Sequence, residues 1–329
     1  MPLRFGVFRN DGDDGDDGDD GDDGDSFNDG DSATGRPSGG RTSLLLAQAL
    51  WRTRGEVIDG FPGVGSPVWT DKPLDGKEIV GRWSKDVRAR LYSFELLSGL
   101  YFEKGKDAGT LWSYELGGEG DGKPPRQKIK TLERPKFDYD EEEFKKQLLE
   151  VIRAQAALRP ERMAEILTQT QVPYRFFASL LNLQRGRHRY TYELMSTVFA
   201  FSSAVVMQFK NHLSVRRPGD RSPLVQPVLP TPGHGSYPAG HATQCHFVAG
   251  VLKTLVNDKL GKDLDRQLVK LAHCIAHNRV VAGLHYIPDN ETGKELGDAL
   301  AEHFQRRAKA PQSALDWLWT RASGEWRNT

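Results

Sequence analysis

Residues Thr231–His246 read TPGHGSYPAGHATQCH, and the two halves of this stretch follow different rules. The first half is rich in Pro and Gly, the composition of a loop. The second opens at Gly240-His241 into ATQCHFVAGVLKTLV, where apolar residues recur at helical spacing. A loop that runs into a helix N-terminus presents N–H groups with no intrahelical acceptor, and the helix dipole there favours negative charge. Such a place suits a phosphate-like oxyanion. His241 stands beside it, placed to give or take a proton.

Two flanking segments supply what the stretch lacks. Upstream, FKNHLSVRRPGDRSP carries Lys210 and Arg217. Seven residues are nearly two helical turns, so this spacing predicts both on one helix face, with Pro218 ending the helix. Together they form an anion clamp, Arg as a planar fork and Lys as a point charge. The plainer alternative is C-terminal helix capping by basic residues. Downstream, HNRVVAGLHYIPD (His277–Asp289) sets Arg279 before His285 and Asp289 after it. A carboxylate near an imidazole fixes its tautomer and leaves the other nitrogen as a nucleophile or metal ligand. The alternative is a partly buried histidine at a helix-to-loop transition.

The chain has 329 residues, 37% of them hydrophobic, and a mean hydropathy of −0.58, which points to a soluble protein. Its longest uncharged run, Leu194 to Phe209, is too short and too polar to span a bilayer. The start, MPLRFGVFRND, lacks the apolar core of a signal peptide, so a cytoplasmic location is expected. Cys245 and Cys274 are too few for a disulfide framework and read as buried free thiols. The net charge of zero hides an asymmetry. Residues 1–32 hold 12 Asp and 2 Arg, a balance of −10, which leaves +10 on the rest. A basic body fits an anionic ligand.

Residues 1–40 are an acidic low-complexity tail built on a Gly-Asp-Asp repeat, expected to be disordered because it has too little apolar surface to bury. Weak calcium binding by its carboxylates is the alternative. Residues 41–329 are expected to form one domain with a motif core at 205–300. Within it, helices are predicted at Thr42–Trp51, Lys85–Glu103, Tyr139–Leu158, Pro160–Gln169, Tyr174–Leu183 and Tyr190–Phe209, with a loop at Gly117–Pro125. Trp317 and Trp319 read as a packed terminal helix. Strand signals are sparse, so the fold class is all-α, a helical bundle. His246, His273 and His277 read as core residues or neighbours of the site, His212 as a further neighbour. Zinc at His273, Cys274 and His277 is the competing reading.

Taken together, Lys-x6-Arg-Pro, Pro-x-Gly-His and Arg-x5-His-x3-Asp resemble the superfamily joining phosphatidic acid phosphatases, bacterial acid phosphatases and vanadium-dependent haloperoxidases. The run HGSYPAGHATQ is similar to that of algal bromoperoxidases. The resemblance implies a helical bundle of the acid phosphatase/haloperoxidase type. It implies that Lys210, Arg217 and Arg279 hold the oxygens of vanadate, with phosphate or sulfate able to take the same place, and that the Gly240 amide adds a donor. His241 would be the acid–base residue, His285 the vanadium ligand oriented by Asp289, and His234 a residue near the halide. The implied activity is halide oxidation, bromide foremost, with hydrogen peroxide and a small organic acceptor as further partners. Neither nucleic acid nor membrane is expected as a partner, and a homo-oligomer stays open. The alternatives are a phosphohydrolase in which His285 becomes a phosphohistidine, or an inactive oxyanion-binding relative. Two departures stand out. Ala239 occupies the position of a Ser hydroxyl that would bond an anion oxygen, a bond worth about 1.5–3 kcal/mol. Asn278 stands where Ser is common, though Asn can still donate.

Overall fold

The computed structural model describes residues 76–114, 126–170, 173–260, 262–310 and 313–326, with isolated positions at 48, 52 and 53. The acidic tail at 1–40, nearly all of the expected helix Thr42–Trp51 and the loop Gly117–Pro125 lie outside these residues. The short helix α1 (Gly76–Arg82) belongs to a different unit of the chain from the residues that follow Lys85.

From Lys85 onward helices dominate, as expected from sequence. In chain order they are α2 (Lys85–Leu97), α3 (Glu141–Thr168), α4 (Tyr174–Leu180), α5 (Arg189–Leu213), α6 (Pro218–Arg221), α7 (Gly240–Leu260), α8 (Lys262–Val281), α9 (Ile287–Ala308) and α10 (Ala314–Gly324). The centre is α7, which packs on α5, α8 and α9. The contact with α9 is close because two glycines permit it. A Cβ at Gly297 would fall 2.6 Å from the Thr243 carbonyl oxygen, and one at Gly293 would fall 2.8 Å from that of Ala239.

Four expectations need correction. The helix expected over Lys85–Glu103 stops at Leu97. Past Ser98 and Gly99 the chain becomes strand β1 (Leu100–Lys104), which pairs antiparallel with β2 (Ala108–Tyr114), itself paired with β3 (Arg126–Glu133). The strands are short, and only β2 shows clean burial alternation, which explains the weak sequence signal.

Second, Pro160 does not start a helix; it lies inside α3. Proline in a helix interior costs about 3 kcal/mol. Buried Gln147, Val151, Gln155 and Ile166 nevertheless hold one stripe through it, packed towards α8.

Third, Lys210 and Arg217 do not share a helix face. Ser214 turns left-handed at φ 47° and ends α5, while Arg217 is extended at φ −73°, ψ 159°. Fourth, Cys245 is buried as expected, but Cys274 is only partly so.

Candidate active site

The three cations reach the site from three different elements. Lys210, 3% exposed, sits in the last turn of α5 and donates from Nζ to the carbonyls of Gly235 at 2.6 Å and Ser236 at 2.8 Å. Arg217, 2% exposed, donates from Nε to the His234 carbonyl and from Nη1 to the Leu284 carbonyl, each at 3.1 Å. Arg279, fully buried in the last turn of α8, donates from Nη2 to the Ile166 carbonyl at 2.8 Å. Charged side chains are almost never buried this deeply unless paired. These three brace the loops with which they share a cavity, and their charges remain next to it.

Lys210, Arg217, His234, Gly240, His241, Arg279 and His285 line one cavity of about 570 Å³. Among the described residues no acidic side chain lines it. Its other wall is apolar and comes from Leu97 at the end of α2, Leu100, Phe102 and Leu111 of the sheet, and Ala204 and Met207 of α5. The sheet is anchored there by Phe102, which meets Phe209 edge-on at 4.9 Å.

His285 reaches the cavity from the turn between α8 and α9. Gly283 makes that turn at φ +85°, where a Cβ would overlap the Gln155 side chain. The Nδ1 atom of His285 lies 3.0 Å from Asp289 Oδ2 and 3.2 Å from Ser236 Oγ. Asp289 is fully buried in the first turn of α9 and accepts from the Ser236 hydroxyl and from the Tyr286 N–H at 3.0 Å. A carboxylate oxygen only accepts, so Nδ1 carries the proton and Nε2 keeps its lone pair. Nε2 makes no hydrogen bond among the described residues. Burial, then the charges of Arg217 and Lys210, hold the imidazole well below its ordinary pKa. Burial pushes the Asp289 carboxyl up to about 6, opposed by its hydrogen bonds from Ser236 and Tyr286.

His241 opens α7 with Gly240. Its Nε2 lies 3.1 Å from the Gln169 carbonyl, which can only accept, so Nε2 carries the proton and Nδ1 is the free base. Burial first and Arg279 second lower its pKa to about 3. His234 is lowered to about 4 by burial and then by Lys210, and its Nδ1 lies 3.2 Å from Arg217 Nη2. Ala239 is not among the lining residues. It is fully buried in a cluster with Ala242 and Ala276, and its N–H is taken by the Asp289 carbonyl at 3.0 Å.

Sequence reasoning missed Ser236, although it lies in the quoted GSYP run, and it missed Gln169 and the apolar wall. The remaining histidines stand elsewhere. The His212 ring nitrogen is 3.0 Å from the Ala108 carbonyl, against the sheet. His246 is buried, His277 is partly buried and stacks on His273, and His273 is exposed, which corrects its reading as core.

No family model and no curated protein matches the chain. Among solved structures, a transmembrane PAP2 type phosphatidylglycerolphosphate phosphatase from Bacillus subtilis is similar over 53% of this chain and 90% of that one. The identity is 18% and the TM-score 0.42, too distant to carry an inference. No helix among the described residues is long and apolar enough to cross a membrane.

Proposed function

We propose that the polar end of the cavity holds a phosphate-like oxyanion and that the chain is a vanadate-dependent haloperoxidase, oxidising bromide with hydrogen peroxide. The observation that carries the reading is the donor set. Three buried cations and a lone-pair nitrogen of His285 line one cavity whose described wall bears no carboxylate. That set fits vanadate, an anion with its charge spread over oxygens and a metal centre open to one nitrogen. Lys210, Arg217 and Arg279 would hold the oxygens, the Gly240 N–H would add a donor, and Nε2 of His285 would be the ligand. When bound, vanadate supplies Lewis-acid activation of peroxide.

The chain's own residues do the rest. Asp289 and Ser236 keep the proton on Nδ1 of His285, so Nε2 stays available. His241 exchanges a proton through Nδ1. His234, held neutral beside Arg217, leaves the cationic field open to a halide. The apolar wall excludes water from one side of the cavity.

That same wall favours a second reading, a phosphohydrolase. A monoester needs room for an organic group, and Leu100, Phe102 and Leu111 offer it. Nε2 of His285 would attack phosphorus as the ester P–O bond breaks, and Nδ1 of His241 would take the acidic proton of the phosphate monoester and pass it to the leaving oxygen.

One preparation tests both. The protein incubated with orthovanadate is given peroxide, bromide and a dye, and in parallel a phosphomonoester. Dye bromination that needs vanadate is the expected result, with His285→Ala lowering it at least about 100-fold. Ester hydrolysis blocked by vanadate, without bromination, would replace the first reading by the second.

A further inference from the structure

Outside the three motifs, the C-terminal turn of α3 touches two of the site residues at once. The Ile166 carbonyl accepts from Arg279, and the Gln169 carbonyl accepts from His241. Gln169 is the C-cap of α3 and is 1% exposed. It is itself held from α8. Asn278 Nδ2 donates to Gln169 Oε1 at 2.9 Å and to Glu165 Oε2 at 2.8 Å, while Asn278 Oδ1 accepts from Arg162 Nη1 at 3.0 Å.

The orientation of this network follows from chemistry. An arginine only donates and a carboxylate only accepts, so the oxygen of Asn278 faces Arg162 and its nitrogen faces Glu165. The second hydrogen on that nitrogen then fixes the oxygen of the Gln169 side chain. Asn278 is fully buried, so a broken bond here is not replaced by bulk water. Asn278 also immediately precedes Arg279, so one peptide unit ties the network to the anion site.

We propose that Gln169 and Asn278 are positioning residues for His241: they hold the Gln169 carbonyl against Nε2 and so fix the tautomer whose free nitrogen is Nδ1. Neither residue touches the cavity contents. The proposal concerns the geometry of His241, and its catalytic consequence rests on the proton-transfer role given to His241 above. The alternative role for Asn278 is to pack α3 against α8 without steering the imidazole.

The test reads the ring nitrogens directly. Full-length protein with ring-15N-labelled histidine is examined by long-range 1H–15N correlation, with the His241 signals assigned by their loss in His241→Gln. In the wild type, Nε2 should carry the proton and Nδ1 should resonate as an unprotonated nitrogen. Asn278→Asp keeps the shape but removes both donors. It should mix the two tautomers of His241 while the other eight histidines keep their shifts. Asn278→Ser, with one donor left, should fall between them. Where an activity is present, kcat should drop by about tenfold in Asn278→Asp with KM within about twofold, since the proton-transfer step is what suffers.

A wild-type His241 protonated at Nδ1 overturns the proposal. So does an unchanged tautomer in folded Asn278→Asp or, should that variant not fold, in Asn278→Ser. A shifted tautomer in a protein with neither halide oxidation nor ester hydrolysis would keep the positioning role and remove the functional reading instead.

Discussion

His285 is usable because it is neutral, and its neutrality belongs to a wider pattern. Burial is the leading cause that lowers the pKa of His234 and His246 to about 4, and of His241 and His303 to about 3. An unfolded histidine titrates near 6.5, so between these values the unfolded chain binds more protons. Stability from these groups is therefore present above about pH 6.5 and is lost as pH falls towards the folded pKa values. Asp289, raised to about 6, acts in the opposite sense and favours the fold as pH falls through that value. His303 tests the sign cleanly. It stacks on Phe201 away from the cavity lining, and its buried Nε2 has no hydrogen-bond partner among the described residues. Between pH 7.5 and pH 5, His303→Leu should gain about 2 kcal/mol on the wild type in urea unfolding. A stability gap independent of pH would mean that His303 titrates normally in the fold. At this scale the meeting of Lys210, Arg217, His241, Arg279 and His285 at one cavity followed from their three motifs, although the shared helix face expected for Lys210 and Arg217 did not hold. Gln169 was not. Its contact with His241 is a backbone carbonyl 72 residues away, and a carbonyl leaves no trace in residue type.

Helix α5 delivers Lys210 from its C-terminal end, but its N-terminus lacks a cap of its own, since His188 makes no side-chain capping bond. Glu325, from the far end of the chain, supplies one. Its carboxylate accepts from the N–H groups of Tyr190 at 2.7 Å and Thr191 at 2.9 Å, and from the Thr191 hydroxyl at 2.8 Å. A negative charge at a helix N-terminus also meets the favourable end of the dipole. Glu325→Ala should cost about 1–3 kcal/mol in thermal or urea unfolding, and Glu325→Gln, which keeps an acceptor, should cost less. Equal stabilities of Glu325→Ala and the wild type would contradict the capping role. The helices were legible through their apolar periodicity, whereas their ends were set by contacts distant in sequence. Val151 and Gln155 before Pro160 and Ile166 after it all face the core, and that packing outweighs the local cost of proline. The reversal at Ser214 separated Lys210 from Arg217 because a left-handed residue can end a helix without a glycine or proline to announce it.

Across the whole molecule, negative charge is concentrated in the first 32 residues and buried positive charge around the cavity. Residues 1–32 carry a balance of −10, and the site brings three buried cations together. The tail repeat from Asp11 to Asp25 contains only Asp and Gly and so has nothing to bury. Removing residues 1–32 should leave the thermal midpoint within about 5 °C at low calcium, which for a chain of this size is a change of at most about 3 kcal/mol. A larger loss would show that the tail contributes to the fold. The helical class was legible from sequence because most of the chain repeats at helical spacing. The sheet was not, and with it went the apolar wall of the cavity, since Leu100 and Phe102 fell within an expected helix.

If His285 and the three cations form one oxyanion site, the protein must bind such an anion through them. Calorimetric titration of the full-length protein with orthovanadate near pH 8 tests it most directly, with inorganic phosphate as competitor and His285→Ala alongside. The expected result is one site per chain, displaced by phosphate, with vanadate affinity at least about tenfold weaker in His285→Ala. A wild-type protein that takes up no vanadate, or a His285→Ala protein that binds it equally well, would show that these residues do not form an oxyanion site.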